Sequence, residues 1–145
     1  MVFVDTGVWF ALLVSKDPNH QRSNEWFATL SEPLITSDYI VDETLTLLLM
    51  RGERTKAIDF GNLVIVGSMA ILHKVSEQQF NRSWILFQQL SHAGLSFTDC
   101  TSHIVASDLS VPKIASFDHH FQATGQFLLH YEAWLNSTPF RSNPT

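Results

Sequence analysis

The stretch that decides the fold is Met1-Val-Phe-Val-Asp-Thr-Gly-Val-Trp-Phe10, in which one aspartate interrupts an apolar run. The three apolar residues before Asp5 are typical of a short buried strand, and the apolar residues from Thr6 to Val14 predict a helix. In an open α/β fold, the residue that follows such a strand lies at the carboxyl edge of a parallel sheet, where ligands bind. We therefore expect Asp5 to lie at a functional site.

Length and composition indicate one globular domain. The chain has 145 residues, of which 45% are apolar and 16% are charged, and a chain of this size can bury roughly 68–70% of its unfolded surface. The net charge of −5, from 14 acidic and 9 basic side chains, argues against binding nucleic acid by bulk electrostatics alone. It does not exclude a nuclease, because a bound cation neutralises clustered carboxylates.

Cysteine content and hydropathy indicate the compartment. The single cysteine, Cys100, excludes an internal disulfide and favours a reducing environment. No stretch reaches the roughly 18–20 apolar residues of a membrane span, and the first residues lack the basic segment of a secretory signal. We predict a cytoplasmic protein without a membrane partner.

Short apolar strands alternate with helical patterns along the chain, which favours parallel pairing through right-handed crossovers. Besides the first strand, the pattern predicts strands at residues 34–36, 70–75, 113–117 and 127–129. This is an α/β fold with a mainly parallel sheet of about five strands. We expect a single domain at residues 1–135 and a polar C-terminal tail at residues 136–145.

Several helix boundaries carry local signals. Asp17 and Pro18 are typical of an N-cap and a first helical position, and Ser37 or Asp38 can cap a long helix that stops at Gly52. A further helix is predicted over residues 53–66. The spacing of Ser76 and Gln79 is that of a capping box at the start of another.

Four carboxylates follow predicted strands or begin predicted helices at the same edge of the sheet. Asp5 and Asp118 each follow a strand, Asp99 lies at a helix N-terminus, and Glu43 lies about one turn inside the long helix. Such a group requires counter-charge, and the sequence offers no matching set of basic residues. All-oxygen ligation suits Mg²⁺ or Mn²⁺, which can activate water for in-line attack on a phosphodiester.

Each of these residues also has an ordinary structural interpretation. Asp99 alone could be a helix cap, Glu43 a solvated helix residue and Asp118 the start of a turn. Thr6 and Thr98 neighbour two of the carboxylates, where a hydroxyl could orient a carboxylate or a water molecule. The sequence contains neither a nucleophile elbow nor a glycine-rich phosphate loop, and we interpret Cys100 as a small core residue.

The chain resembles PIN-domain proteins, and most of all the VapC-type toxin ribonucleases. The matching segments are Val2-Phe-Val-Asp-Thr-Gly-Val-Trp-Phe-Ala-Leu12, Ile40-Val-Asp-Glu-Thr44, Leu95-Ser-Phe-Thr-Asp-Cys100 and Ile114-Ala-Ser-Phe-Asp-His-His-Phe121. The resemblance implies a three-layer α/β/α sandwich, Mg²⁺- or Mn²⁺-dependent endoribonuclease activity, frequent homodimerisation and inhibition by a small antitoxin protein. It also implies that Asp5, Glu43, Asp99 and Asp118 are the catalytic acidic residues and that Thr98 assists.

Other side chains are weaker candidates for contact with RNA. His119 or His120, directly after Asp118, could touch a phosphate, and Arg51 and Arg54 could contact the RNA backbone, although a solvated helix end that favours cations is the better explanation of the arginines. The large aromatic residues have helical spacing and are expected mostly in the core, with part at a dimer or antitoxin surface. Two other functions remain open, a PIN-fold module that binds RNA or protein without cleavage and a structure-specific DNA nuclease.

Overall fold

The structure, a computed structural model, describes residues 1–118. Its centre is a sheet of four parallel strands in the order β3-β2-β1-β4. The strands are β1 (Val2–Val4), β2 (Leu34–Ser37), β3 (Ile71–His73) and β4 (Lys113–Ala115). The predicted parallel α/β fold is confirmed with four strands in this part of the chain, and the fifth prediction, residues 127–129, lies outside it.

Six helices connect and flank these strands within residues 1–118. They are α1 (Thr6–Leu13), α2 (His20–Thr29), α3 (Asp38–Met50), α4 (Arg54–Gly61), α5 (Glu77–Leu90) and α6 (Phe97–Asp108). The layers are helices, sheet and helices, as the resemblance implied. The division into a domain at residues 1–135 and a tail at residues 136–145 remains a prediction.

The strand β1 lies between β2 and β4, and all three of its residues are fully buried. A polar contact ties α1 to the sheet beside it, since Trp9 Nε1–H donates to Thr36 Oγ1 at 3.3 Å and that hydroxyl donates to the Val4 carbonyl at 3.2 Å. The Trp9 ring also packs against the ring of Phe60 in α4, with 5.5 Å between the ring centroids. These contacts fix the end of β1, from which Asp5 emerges.

Three local helix signals are confirmed. Ser37 caps α3 by accepting the Ile40 N–H, and Ser76 and Gln79 form both hydrogen bonds of a capping box. Gly52, just after α3, has φ +77°, a left-handed conformation that glycine adopts without strain. In each of these three cases the predicted signal involves only a few neighbouring residues.

One predicted helix start is wrong, and one predicted helix changes type along its length while its ends lie close to the predicted bounds. The helix α2 begins at His20, because the Asp17 carboxylate accepts the Asn19 N–H at 2.8 Å and closes a turn before the helix. The segment predicted as one helix over residues 53–66 is α4 followed by a π-helical turn at Asn62–Val66. The Gly67 N–H closes that turn on the Asn62 carbonyl, and a Cβ at Gly67 would lie 2.8 Å from the Leu63 carbonyl oxygen.

The predicted strand at residues 113–117 is also too long. The strand β4 ends at Ala115, so Ser116 rather than Asp118 is the first residue beyond it. Asp118 lies in the segment that follows, two residues further from the sheet. The helices of residues 1–118 include none with the length and apolar character needed to cross a membrane.

Candidate metal centre

Asp5 occupies the junction between β1 and α1. Its backbone N–H donates to the Ala115 carbonyl at 3.0 Å, and its own carbonyl accepts the N–H groups of Val8 and Trp9. The residue is only 6% exposed, which is rare for an aspartate. Its backbone is thus fixed by both β4 and α1, and its carboxylate lies at the carboxyl edge of the sheet as predicted.

Ser116 is a site residue that the sequence analysis missed. Its hydroxyl donates to Asp5 Oδ2 at 2.6 Å and accepts the Asp118 N–H at 3.0 Å, and the side chain is fully buried. One hydroxyl therefore joins the ends of β1 and β4. The spacing of a serine two residues before Asp118 was visible in the sequence, but the assumed length of the strand placed it inside the sheet.

The sequence left two interpretations of Asp99 open, a helix cap and a member of the acidic group, and the structure is compatible with both. It is the third residue of α6 and takes part in a capping box, in which Asp99 Oδ2 accepts the Ser96 N–H at 2.8 Å and Ser96 Oγ accepts the Asp99 N–H. The cap uses one carboxylate oxygen. The charge of the same group acts on Asp5, so its role as a cap does not remove it from the site.

Glu43 lies half-buried on α3, which starts at the same edge of the sheet. It lines a groove of about 320 Å³ together with Thr98 of α6. The other lining residues are Asp42, Thr46, Leu47 and Met50. The groove places the predicted residues Glu43 and Thr98 on two walls of one depression.

The electrostatics couple the four predicted carboxylates. Burial, with smaller contributions from the negative charges of Asp99 and Glu43, raises the pKa of Asp5 from 3.8 to about 7, and the hydrogen bond from Ser116 opposes this shift. Burial also raises the pKa of Asp99, with added repulsion from Asp118 and Glu43. These couplings between carboxylates are repulsive, so a bound cation would stabilise the group.

The residues fit a divalent cation in chemistry and require some rearrangement in position. Within residues 1–118, no group of three or more Asp, Glu, His and Cys side chains is arranged to hold an ion, as expected when like charges repel one another. The donors are carboxylate oxygens, which suit Mg²⁺ or Mn²⁺. The buried Thr6 Oγ1, next to Asp5, also has no hydrogen-bond partner, so it offers a further oxygen beside the site.

The two arginines that the sequence offered as RNA contacts lie away from this centre. Arg51 follows the last turn of α3, roughly 12 Å along the helix axis from Glu43 at 1.5 Å per residue. Arg54 lines a separate groove with Leu49 and Ile58. The structure does not bring these arginines to the carboxylates, and His119 and His120 lie outside the described residues.

Cys100 follows Asp99 on α6 and is fully buried. Burial, together with the charge of Asp99, raises the pKa of its thiol to about 11. Since the thiolate is the reactive form, Cys100 is not a nucleophile at neutral pH. Its interpretation as a core residue is confirmed.

We expect Ser116→Ala to shift the pH dependence of the metal-dependent phosphodiester cleavage that the sequence predicts. Loss of the donated hydrogen bond removes the main influence that lowers the pKa of Asp5, and it leaves the Asp118 N–H without its acceptor. The expected result is a pH–rate profile displaced upward by roughly one pH unit, with activity at pH 7 reduced about fivefold.

Ser116→Thr, which keeps the hydroxyl, should restore most of the activity. Ser83→Ala is the matched control, because Ser83 is also fully buried and bonds only to the Gln79 carbonyl in its own helix. An unshifted pH profile for Ser116→Ala would show that the hydroxyl does not tune Asp5.

Comparisons with known proteins agree with this geometry. The PIN-domain profile matches residues 2–126. The 23S rRNA-specific endonuclease VapC20 of Mycobacterium tuberculosis is 26% identical over 125 residues, which cover 86% of this chain and 95% of that protein. A VapC ribonuclease of Archaeoglobus fulgidus is 29% identical over 123 residues, 81% of this chain and 77% of that protein.

A solved structure has a similar fold over most of the chain. The crystal structure of Mycobacterium tuberculosis VapC20, described as a sarcin-ricin loop cleaving toxin, superposes with a TM-score of 0.81 at 25% identity. The match covers 86% of this chain and 95% of that one. The central parallel sheet, the acidic edge and the profile match together show that this chain belongs to the PIN-domain family.

Proposed function

We propose that the protein is a metal-dependent endoribonuclease and the toxin of a toxin–antitoxin pair. The observation that carries the proposal is Asp5, a buried carboxylate with a pKa of about 7 that is surrounded by the negative charges of Asp99 and Glu43. Such a group gains strongly from a divalent cation. The relatives named endonuclease and ribonuclease support the same class of enzyme.

Asp5, Glu43, Asp99 and Asp118 would hold the ion. When bound, Mg²⁺ or Mn²⁺ supplies Lewis-acid activation of water and neutralises charge on the phosphate. Hydrolysis would join the oxygen of this water to phosphorus and break the ester P–O bond in line with it, and the departing ribose oxygen would take up the proton that the water gives up. The role of Ser116 is to hold Asp5 in one orientation, while the Asp99–Ser96 capping box fixes Asp99 at the start of α6.

Structured RNA is the proposed substrate, with 23S ribosomal RNA as the first one to test because the VapC20 relative is named for it. We further propose that the protein acts in the cytoplasm, where ribosomes are found. A non-catalytic PIN module is disfavoured because all four acidic positions are retained. A DNA nuclease is disfavoured because the relatives are named for cleavage of RNA.

The proposed partners are a second copy of the chain and a small antitoxin. Aliphatic side chains that are largely exposed lie along the end of α3, the helix α4 and the π-helical turn. They include Leu49, Met50, Ile58, Ile65 and Val66. Exposed apolar side chains on adjoining elements of this kind are typical of a protein interface when they form one patch.

The test is cleavage of 23S ribosomal RNA in Mn²⁺, in Mg²⁺ and in EDTA, analysed on denaturing gels. Cleavage is expected with either metal and not with EDTA. Asp99→Asn should lower the rate by at least about a hundredfold, because several kcal/mol of metal-dependent stabilisation is lost. The amide oxygen can still accept the Ser96 N–H, so α6 should remain capped.

Asp59→Asn is the matched control, since Asp59 is exposed on α4 and the same carboxylate-to-amide change there should leave the rate unchanged. Equal cleavage in EDTA, or an unaffected Asp99→Asn variant, would contradict a mechanism based on carboxylate-held metal.

A further inference from the structure

A cluster of five aromatic rings joins the three helices α3, α5 and α6. The rings belong to Tyr39, Phe80, Trp84, Phe87 and Phe97. Phe97 lies at its centre, with ring centroids 5.2 Å from Phe80, 6.0 Å from Tyr39 and 6.1 Å from Phe87. Trp84 stacks on Phe87 at 5.9 Å with an interplanar angle of 21°, and the other four contacts are tilted or edge-to-face.

The outer members of this aromatic cluster are unusually exposed. Trp84 is 51% and Phe80 43% exposed, whereas Trp9 and Trp26 are 4% and 7% exposed in the core. The other large apolar side chains that are exposed within residues 1–118 are aliphatic or methionine. The aromatic cluster therefore presents ring surface at one place on the described part of the molecule.

The aromatic cluster shares two helices with the acidic site. Tyr39 lies one turn before Glu43 on α3, and residues four apart share a helix face. Phe97 directly precedes Thr98 and lies two residues before Asp99 on α6. Phe80 of α5 contacts the rings of both Tyr39 and Phe97, so the exposed rings of α5 connect to the helices that carry Glu43 and Asp99.

The helix α5, which carries Trp84, is fixed by polar contacts on its inner side. Arg82 donates to both carboxylate oxygens of Asp108 at 2.8 Å, and Gln79 Nε2 donates to the same carboxylate at 3.1 Å. Ser76 and Gln79 close its capping box. A surface held in this way loses little conformational entropy when a ligand binds.

The charge of the protein indicates which ligand this surface suits. With a net charge of −5 and a repulsive carboxylate cluster, the protein gains little from phosphate attraction. Stacking of unpaired bases on aromatic rings does not depend on charge, and each stacked base contributes roughly five- to hundredfold in affinity. RNA loops present such unstacked bases.

We propose that Trp84 and Phe80 form a stacking platform for unpaired RNA bases next to the cleavage site. This proposal rests on the proposed nuclease function. Stacking on the platform supplies RNA affinity that the net negative charge of the protein does not. It selects single-stranded or loop RNA over regular duplex, because bases within a duplex have no free face.

The test measures binding without cleavage. Fluorescence anisotropy with a short labelled single-stranded RNA, in EDTA and in an Asp5→Asn background, compares Trp84→Leu with Trp84→Phe. Trp84→Leu should weaken binding roughly tenfold, while Trp84→Phe, which keeps an aromatic face, should retain most of the affinity. The ratio between the two variants should stay the same as NaCl is raised, unlike a phosphate contact.

Ile85→Ala is the matched control, because Ile85 is the next residue on α5 and is 54% exposed. Its RNA affinity should equal that of the parent. Thermal melting and analytical ultracentrifugation of each variant establish that the fold and the oligomeric state are unchanged. Trp84→Leu affinity equal to that of the parent would overturn the platform, and so would a change in oligomeric state with RNA affinity preserved, which would assign the surface to a protein partner.

The platform and the nuclease can fail separately. Trp84-dependent binding by a wild-type protein that cleaves no RNA would uphold the platform and refute the nuclease. Metal-dependent cleavage of the short RNA with the same KM in wild type and Trp84→Leu would uphold the nuclease and refute the platform.

Discussion

Asp5→Asn is expected to lower metal-dependent RNA cleavage by roughly a thousandfold, which corresponds to about 4 kcal/mol of lost transition-state stabilisation. The amide is nearly the same size as the carboxylate and its oxygen can still accept the Ser116 hydroxyl. The backbone bond from Asp5 N–H to the Ala115 carbonyl does not involve the side chain. The variant therefore removes the charge and keeps the architecture.

The measurement is a single-turnover rate on 23S ribosomal RNA at saturating Mn²⁺, with far-UV circular dichroism as a check on folding. The exposed Asp59→Asn variant again serves as the control and should cleave at the wild-type rate. A folded Asp5→Asn protein with an undiminished rate would remove Asp5 from the mechanism.

The second large effect is a loss of stability in the metal-free protein as pH rises. Because the folded state raises the pKa of Asp5 from 3.8 to about 7, it holds this proton more tightly than the unfolded chain does. The resulting stabilisation, about 4 kcal/mol, is fully present below about pH 4 and is lost as pH passes about 7. Most of the loss, roughly 2 to 3 kcal/mol, falls between pH 5 and 8.

Other ionisable groups also change the stability of the protein with pH. The effect of Asp5 is therefore measured by comparing wild type with Asp5→Asn. Asp99, whose pKa is raised mainly by burial, acts in the same direction. Burial lowers the pKa of His103. The contribution of this residue to the free energy of unfolding therefore increases as pH rises toward 6.5. Glu32 and Asp108 have lowered pKa values, so their stabilisation is lost only in more acidic solution.

Urea unfolding in EDTA at several pH values tests this linkage. The difference in unfolding free energy between Asp5→Asn and wild type should grow with pH over this interval. Adding Mn²⁺ should raise the melting temperature of the wild type more at pH 8 than at pH 6, because the ion binds the ionised carboxylate. Parallel curves for the two proteins would show that Asp5 does not carry the buried charge.

The sequence predicted those features that depend on a few neighbouring residues. The run Val2 to Val4 before Asp5 identified a buried strand, and Ser76 with Gln79 identified a helix start, since each pattern has one low-energy local structure. The acidic residues could be grouped because the carboxyl ends of parallel strands meet at one edge. Their coupling in the structure, through Asp5 and Asp99, agrees with that expectation.

Features that depend on distant contacts could not be predicted in the same way. The bond between Ser116 and Asp5 joins residues 111 apart, and the end of β4 is set by its pairing with β1 rather than by its own apolar run. Local competition explains the other errors. The Asp17 carboxylate closes a turn instead of capping a helix, and the π-helical turn before Gly67 has no simple periodic signal.

The position of β1 between β2 and β4 has a consequence for synthesis on the ribosome. The strand that carries Asp5 is made first, but its neighbour β4 is made more than a hundred residues later. Because domains fold as their chains emerge, Asp5 cannot meet Ser116 and Asp118 until nearly all of the described fold has left the exit tunnel. A nascent or prematurely terminated chain therefore lacks this arrangement, and the candidate site is assembled only after β4 is complete.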